Sequence, residues 1–202
     1  MNHFTAPGHG AERQRMTNQQ GAVIWFTGLS GAGKSTLSEA LTPVLHERGR
    51  NVEVLDGDIV RTNLSKGLGF SKEDRDTNIL RIGFVANLLA RNGVIAITAA
   101  ISPYRETRDR VREMVEADGA KFIEVYAAAT LEECEARDVK GLYAEARAGN
   151  RPGFTGIDDP YEAPEKPELA LPTGSASTDD CLQQLVSYLE EQGILATEAV
   201  AR

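Results

Sequence analysis

Short runs of mostly apolar residues recur along the chain, separated by stretches in which apolar residues return at every third or fourth position. The runs lie at residues 22–27, 52–55, 94–98 and 122–126. Runs without polar alternation are typical of strands that are covered on both faces. Alternation of such strands with amphipathic helices predicts an α/β fold. We expect an open, mostly parallel sheet with helices on both faces, joined by right-handed crossovers.

Helical periodicity is clear in the stretches between the runs. Residues 37–45 carry one apolar stripe, within which Pro43 should bend or interrupt the helix. The sequence Ser71-Lys-Glu-Asp74 has the form of a capping box and predicts the start of a longer helix. The apolar residues Ile79, Ile82, Val85, Ala86 and Leu89 would form the buried face of that helix. Further stripes predict helices around residues 111–115 and 182–189.

The periodicity fades between residues 137 and 172, where Gly, Pro and charged residues crowd together. A segment of this length without clear elements is usually a lid or a binding loop, and a disordered connection is the alternative. Residues 1–20 have the composition of a flexible polar leader, and residues 196–202 would be a short tail. The predicted domain therefore spans residues 21–195, with a lid at about 137–172.

A glycine-rich phosphate loop follows the first predicted strand and opens the first predicted helix. Its sequence, Gly28-Leu-Ser-Gly-Ala-Gly-Lys-Ser35, fits the pattern G-x-x-x-x-G-K-[ST] in the required context. Glycines let backbone N–H groups converge on phosphate oxygens, Lys34 supplies a full positive charge, and the hydroxyl of Ser35 can bind Mg²⁺. The motif predicts a three-layer P-loop NTPase fold. The expected phosphate-binding residues are Gly28, Leu29, Ser30, Gly31, Ala32, Gly33, Lys34, Ser35 and Thr36.

The phosphate loop alone does not separate a kinase from a motor protein or a switch GTPase. The chain contains no Asn-Lys-x-Asp sequence for reading guanine, which weakens the GTPase interpretation. The third run ends without an acidic residue, so the usual carboxylate that organises Mg²⁺ is missing there. Asp56 and Asp58 follow the second run instead, and the carboxyl ends of parallel strands face the ligand. Either aspartate could hold Mg²⁺ or accept a proton from an attacking hydroxyl; a turn with a helix cap is the alternative.

Three further polar residues are candidates for binding an anionic molecule. Arg61 follows the aspartates by one helical turn, and Arg75 and Asn78 share one face near the start of the helix that begins at Ser71. Arginine captures planar oxyanions with two hydrogen bonds, and asparagine can read a base or a sugar edge. Solvated helix surface is the alternative for each of them.

Composition limits the classes of partner. The 202 residues include 22 Lys and Arg against 30 Asp and Glu, a net charge of −8, which argues against general binding of nucleic acids. No apolar run approaches the roughly 18 residues of a membrane span, and no secretory signal is evident. Cys134 and Cys181 are too few for a disulfide framework. We expect a soluble, reduced, cytoplasmic protein without a membrane partner.

Six motifs in the chain resemble the adenylyl-sulfate kinase family, over about residues 22–173. They are Phe26-Thr-Gly-Leu-Ser-Gly-Ala-Gly-Lys-Ser-Thr36, Leu55-Asp-Gly-Asp58, Leu68-Gly-Phe-Ser-Lys-Glu-Asp-Arg75, Ile101-Ser-Pro-Tyr104, Arg137-Asp-Val-Lys-Gly-Leu-Tyr143 and Phe154-Thr-Gly-Ile-Asp-Asp-Pro-Tyr161. The resemblance implies phosphorylation of the 3′-hydroxyl of adenosine 5′-phosphosulfate (APS) by MgATP, in sulfate assimilation. It also implies a homodimer.

The resemblance assigns roles residue by residue. Asp58 would be the catalytic carboxylate and a Mg²⁺ ligand with Ser35, Lys34 would take part in catalysis, and Arg137 would lie near the ATP base. The lid would close on APS and exclude water. The residues that would bind APS are Asp56, Asp58, Arg61, Phe70, Arg75, Asn78, Ile101, Ser102, Lys140, Leu142 and Phe154.

Departures from the family pattern concern context rather than chemistry. Ile59 stands where many members have Asn, and residues 62–67 are similar to kinase domains that are fused to ATP sulfurylase. Association with ATP sulfurylase is therefore left open. A related kinase for another metabolite, and a nucleotide-binding module that docks on a sulfurylase without catalysis, are the rival hypotheses.

Ser102 has two interpretations. The resemblance places it at a serine that some bacterial members carry as phosphoserine, proposed as a covalent intermediate. Ser102 followed by Pro103 is also a common way to begin a helix, with serine as the N-cap. In-line transfer from ATP to a bound hydroxyl needs no covalent step, so we favour direct transfer with a structural role for Ser102.

Overall fold

A five-stranded parallel sheet lies at the centre of the protein in the computed structural model, which describes residues 20–196. The strands are in the spatial order β2-β3-β1-β4-β5, and every neighbouring pair is parallel. The predicted leader and tail lie outside the described residues, apart from Gln20 and Ala196. The strands are β1 (Ala22–Thr27), β2 (Val52–Asp56), β3 (Ile95–Ala99), β4 (Lys121–Ala127) and β5 (Leu169–Leu171).

Seven helices within residues 20–196 connect and cover the strands. None of these helices is long and apolar enough to cross a membrane. The helices are α1 (Lys34–Glu47), α2 (Gly57–Asn63), α3 (Lys72–Ala90), α4 (Arg105–Ala117), α5 (Leu131–Arg137), α6 (Leu142–Arg147) and α7 (Thr178–Glu191).

Both faces of the sheet are buried under helices, so the three-layer α/β prediction is confirmed. Ile24 and Phe26 of β1 pack in one apolar cluster with residues of α1 and α7. Val23 and Trp25 point to the opposite face and pack in a second cluster with residues of α3 and α4. Every residue of β1 is therefore buried, which explains why this strand lacks polar alternation.

Two local expectations need correction. Pro43 does not interrupt α1, which continues to Glu47. Pro43 and Glu39 both lie on the exposed side of the helix, so water can reach the Glu39 carbonyl that Pro43 leaves without a backbone donor. The capping box is only half formed. The Ser71 hydroxyl accepts from the backbone N–H of Asp74 at 3.1 Å, but the Asp74 carboxylate accepts from Gly69 N–H at 2.8 Å.

The segment predicted as a lid is ordered by its own elements. It contains α6, strand β5 and an isolated bridge between Thr155 and Asp159. Tyr143 and Phe154 are buried in a third apolar cluster beneath the phosphate loop. The alternative of a disordered connection is therefore wrong. Cys134 and Cys181 are both buried, and they do not pair with each other.

Candidate active site

The phosphate loop, residues 28–35, joins β1 to α1 at the carboxyl edge of the sheet. Three of its glycines have a positive φ, 147° at Gly28, 74° at Gly31 and 96° at Gly33. A Cβ atom on Gly28 would also lie 2.7 Å from the carbonyl oxygen of Ala127. Only glycine fits this conformation and this close approach, so the backbone can turn its N–H groups towards a ligand.

Lys34 lies inside the loop with its side chain almost fully buried. Its Nζ atom donates to the carbonyl oxygens of Gly28 at 2.9 Å and Leu29 at 2.6 Å. Burial lowers the pKa of Lys34 to about 8, while the negative charges of Asp58 and Asp56 act in the opposite direction. Burial destabilises the ammonium form of Lys34 in the free protein. A bound phosphate would stabilise that positive charge.

Two polar side chains donate hydrogen bonds to backbone carbonyl oxygens of the phosphate loop. Arg137 donates to the carbonyl oxygen of Gly31 at 3.4 Å and to that of Thr173 at 2.7 Å. The Tyr143 hydroxyl donates to the carbonyl oxygen of Ser30 at 2.9 Å. Arg137 was predicted from the sequence, but no sequence pattern indicates the contact of Tyr143 with Ser30, which is 113 positions away. Ser35 and Thr36 begin α1 with exposed side chains.

The two aspartates after β2 have different roles. The Asp56 carboxylate caps α2 and accepts from the backbone N–H groups of Asp58 at 2.9 Å and Ile59 at 3.3 Å. Asp56 therefore caps a helix, and its predicted part in binding APS stays a prediction. The Asp58 carboxylate is 81% exposed and pairs with Lys140 Nζ at 2.7 Å, a contact that raises the pKa of Lys140. Asp58 is thus the carboxylate that remains accessible to a ligand.

Arg61, Phe70 and Arg75 form a second charged region. The Arg61 guanidinium lies 4.2 Å above the centre of the Phe70 ring and donates to the carbonyl oxygen of Gly69 at 2.9 Å. Arg75 Nε donates to the carbonyl oxygen of Phe70 at 2.8 Å. The Phe70 ring is 58% exposed, so it offers an aromatic surface held between two cations.

Arg75 also connects this region to the turn at residues 153–159. Its terminal nitrogens donate to the Thr155 hydroxyl and the Gly153 carbonyl oxygen, and one of them lies 3.6 Å from the Asp159 carboxylate. The guanidinium is therefore engaged by protein atoms in this structure. A ligand that binds Arg75 has to replace some of these contacts.

Asn78 lies one helical turn after Arg75 and is buried. Its Oδ1 atom has no hydrogen-bond partner among the described residues. Since buried amide oxygens are nearly always satisfied, this atom indicates a position where a ligand or a water molecule donates.

Ser102 does not cap a helix, because α4 begins only at Arg105 with Tyr104 as its N-cap. The sequence-based N-cap prediction was wrong because Ser102 adopts a positive φ of 43° and is buried. Its hydroxyl accepts from Trp25 Nε1 at 3.0 Å and donates to the Ala100 carbonyl oxygen at 3.3 Å.

Ile101 touches the phosphate loop through its backbone. Its carbonyl oxygen accepts from the Thr27 hydroxyl at 2.8 Å and from Gly28 N–H at 3.5 Å. Residues 101 and 102 therefore support the end of β1, where the loop begins.

Two of the residues predicted to bind APS lie deeper than expected. Phe154 is 8% exposed and packs edge-on against Tyr143, with ring centres 5.0 Å apart. Leu142 is half-buried against the same cluster, which includes Leu29 of the phosphate loop. Phe154 is thus a packing partner in this structure, whereas Phe70 is the exposed aromatic ring.

Two regions with positively charged side chains therefore lie at the same edge of the sheet. The phosphate loop can hold the phosphates of one nucleotide, and the region around Phe70 can hold a second planar anion. Asp58 acts electrostatically on both Lys34 and Arg61, so it connects the two regions. A site of this kind brings a phosphate donor and an acceptor together, which defines a kinase of the P-loop class.

Comparison with known proteins identifies the family. The sequence profile of the family described as adenylylsulphate kinase matches residues 20–172, well over half of the chain. The protein therefore belongs to the adenylyl-sulfate kinase family.

Individual relatives agree with this assignment. The adenylyl-sulfate kinase of Rippkaea orientalis is 60% identical over 88% of this chain and 96% of its own length. The structure of the Mycobacterium tuberculosis APS kinase CysC in complex with AMPPNP and APS is similar with a TM-score of 0.81 and 44% identity, over 85% of this chain and 99% of that chain. A Sorangium cellulosum protein named "Probable bifunctional SAT/APS kinase 2" is 55% identical over 90% of this chain, which covers 30% of that protein.

Proposed function

We propose that this kinase transfers the γ-phosphoryl group of ATP to the 3′-hydroxyl of APS and releases ADP and 3′-phosphoadenylyl sulfate, in sulfate assimilation. The observation that carries the proposal is the exposed Asp58 carboxylate, which acts on both Lys34 and Arg61. The complex of AMPPNP and APS with the Mycobacterium tuberculosis relative supports the identity of the two nucleotides.

On the donor side, the phosphate loop would hold ATP. Its N–H groups and Lys34 would bind the phosphates, after the Lys34 ammonium exchanges the carbonyl oxygens of Gly28 and Leu29 for phosphate oxygens. Arg137 already spans from Gly31 to Thr173 and would lie beside the base. Binding of a rigidly held donor next to the acceptor supplies most of the catalysis in phosphoryl transfer.

On the acceptor side, APS would occupy the region around Phe70. The exposed ring offers a stacking surface for adenine, and Arg61 and Arg75 offer charge for the phosphosulfate group. The unpaired Oδ1 atom of Asn78 would accept from the nucleotide. Phe154 would join this site only after it leaves its packed position against Tyr143, which fits closure of residues 137–172 as a lid.

Asp58 would accept the proton of the 3′-hydroxyl as the oxygen attacks the γ-phosphorus. The Lys140 ammonium holds this carboxylate at 2.7 Å and would orient it. Asp56 would support Asp58 through the cap that begins α2. In this scheme the bond from the γ-phosphorus to the bridging oxygen breaks, and ADP keeps that oxygen.

The residues present fit Mg²⁺ that arrives with ATP. The Ser35 hydroxyl and the Asp58 carboxylate are exposed oxygen donors, the type that Mg²⁺ prefers, and Mg²⁺ commonly takes its other ligands from phosphates and water. Within residues 20–196 no group of three or more His, Cys, Asp or Glu side chains could hold a metal ion by itself. Mg²⁺ would supply charge neutralisation for the transferring phosphoryl group.

We propose direct transfer rather than a phosphoserine intermediate at Ser102. The Ser102 side chain is buried, and its hydroxyl is bonded to both Trp25 and Ala100. ATP with a chiral, isotopically labelled γ-phosphorus tests this directly. Inversion of configuration in the product supports a single transfer, and retention would establish a phosphoenzyme.

The decisive experiment is turnover by the purified protein with MgATP and APS, with other nucleotides and small alcohols as competing acceptors. We expect a 3′-phosphorylated product from APS and the loss of most activity in Lys34→Ala. Preference for another acceptor would support the related-kinase alternative, and no turnover with any acceptor would support the docking module.

A homodimer, association with ATP sulfurylase and a cytoplasmic location complete the proposal. The name of the Sorangium cellulosum relative pairs SAT with APS kinase in one protein, which supports a sulfurylase partner. The homodimer draws support from an exposed apolar groove on α3.

A further inference from the structure

A sharp corner between α5 and α6 begins at Asp138. Its backbone has φ 25° and ψ 49°, and it is one of only two non-glycine residues with a positive φ within residues 20–196. Residues with a Cβ atom rarely adopt a positive φ, and Asp and Asn do so more often than others because their side chains can bond to nearby backbone groups. The residue at this corner is therefore held by specific contacts.

All polar groups of Asp138 bond to the backbone of the corner. Its N–H donates to the carbonyl oxygen of Cys134 at 3.0 Å and its own carbonyl oxygen accepts from Gly141 N–H at 2.8 Å. The two carboxylate oxygens accept from the N–H groups of Tyr143 and Ala144, each at 3.0 Å. These bonds lower the pKa of the Asp138 carboxyl, so it stays ionised. Each carboxylate oxygen is therefore already engaged by a backbone N–H group of α6.

The corner carries two cations that reach in different directions. Arg137 precedes it and contacts the phosphate loop at Gly31. Lys140 lies within it and pairs with Asp58 across the site. The backbone of residues 137–140 joins these two side chains, so the conformation of Asp138 influences whether both contacts form together.

We propose that Asp138 is a positioning residue for the phosphoryl transfer, which sets Arg137 against the ATP-binding loop and Lys140 against the catalytic carboxylate at the same time. The inference rests on the proposed function, since it assumes the roles given to Arg137, Lys140 and Asp58. It assigns a role to a carboxylate whose bonds are to the backbone of α6.

Three substitutions of Asp138 separate the effect of its carboxylate from the effect of its backbone conformation. Asp138→Ala removes both side-chain bonds and keeps the unfavourable φ. Asp138→Gly removes the bonds but relieves the φ, and Asp138→Asn keeps one acceptor oxygen. We expect kcat/KM for APS to fall by about 10- to 100-fold in the Ala variant, with a raised KM for ATP as well. The Gly variant should remain well below wild type, and the Asn variant should be intermediate.

Asp118→Ala is the matched control. This aspartate is also partly exposed and accepts from Asn87 and Arg91, but it follows α4 at the opposite edge of the sheet. We expect it to leave the kinetics of both nucleotides unchanged. Thermal unfolding of each variant shows whether loss of activity is more than loss of folded protein.

A double-mutant cycle with Lys140→Ala tests the positioning role itself. If Asp138 acts partly through Lys140, the effect of Asp138→Ala should be at least about threefold smaller in the Lys140→Ala background. Additive effects, or wild-type kinetics in Asp138→Gly, would overturn the inference. Wild-type protein that fails to phosphorylate APS would instead overturn the proposed function, so the two failures are distinguishable.

Discussion

Lys34 combines burial with a positive charge, and this has a consequence for nucleotide binding. Its pKa is lowered to about 8 in the free protein because the side chain is buried. Bound phosphates stabilise the ammonium form and raise that pKa again. At a pH between about 8 and the pKa of Lys34 in the ATP complex, ATP binding is therefore accompanied by uptake of a proton. In that range the affinity for ATP should fall as the pH rises, by up to about tenfold per pH unit.

This proton uptake can be measured by calorimetry at pH 8.5 in two buffers of different ionisation enthalpy. We expect a net uptake of a substantial fraction of a proton for each ATP bound. Lys34→Arg is the control, because arginine keeps its charge and does not titrate in this range. Equal uptake by wild type and the Arg variant would show that another group is responsible.

Among the elements, α4 is tied to its surroundings by a buried arginine. Arg108 is 1% exposed, and its guanidinium donates to the Glu124 carboxylate and to the carbonyl oxygens of Ser102 and Glu162, each at 2.7 Å. One side chain thus joins α4 to β4, to the loop before α4 and to the segment before β5.

Arg108→Ala should lower the free energy of unfolding by about 3–5 kcal/mol, because it leaves Glu124 buried without its main partner. Urea denaturation measures the change. Arg147→Ala is the control, since its pair with Glu135 is at the surface and should contribute about 1 kcal/mol or less. Similar losses in the two variants would contradict the argument.

The elements also show what sequence patterns can and cannot predict. Four strands were predictable because their apolar residues cluster in short runs. Strands β1 and β3 are buried throughout, whereas β2 lies at the edge of the sheet and carries the exposed Glu53. Strand β5 was missed because it is only Leu169–Leu171, placed by pairing with β4 rather than by any pattern of its own. The conformation of Ser102 was equally hidden, since it depends on a bond to Trp25 from 77 positions away.

In the candidate site, the phosphate loop and Asp58 could be predicted from the sequence. The spacing of the glycines indicates a loop that binds phosphate, and the end of a parallel strand indicates the edge of the sheet that faces a ligand. The contacts of Tyr143 with Ser30 and of Asp138 with α6 depend on how α5 and α6 meet. No local sequence period encodes that corner, so the second layer of the site had to come from the structure.

At the scale of the whole molecule, an apolar groove on the outer face of α3 is the strongest candidate for the predicted dimer interface. Phe84 is 54% and Leu64 38% exposed, which is unusual for large apolar side chains. They border a groove of about 310 Å³ whose lining is Leu64, Thr77, Leu80, Arg81, Phe84 and Val85. A second copy of the chain would have to cover a larger area around this groove, because stable dimers bury more than roughly 1,000 Å² of surface.

We expect the wild-type protein to sediment as a dimer. Phe84→Asp should raise the dissociation constant of that dimer by at least about tenfold. Ser187→Asp places the same charge on the exposed side of α7 and should leave the dimer intact. Wild-type protein that remains monomeric at roughly tens of micromolar would contradict the prediction.

Trp25 is the sole tryptophan of the chain, and its buried indole N–H bonds to the Ser102 hydroxyl beside the phosphate loop. Its intrinsic fluorescence therefore arises from a single place at the centre of the molecule. Spectral changes on adding nucleotides can be assigned to that place without an attached dye, which gives the protein a built-in optical reporter.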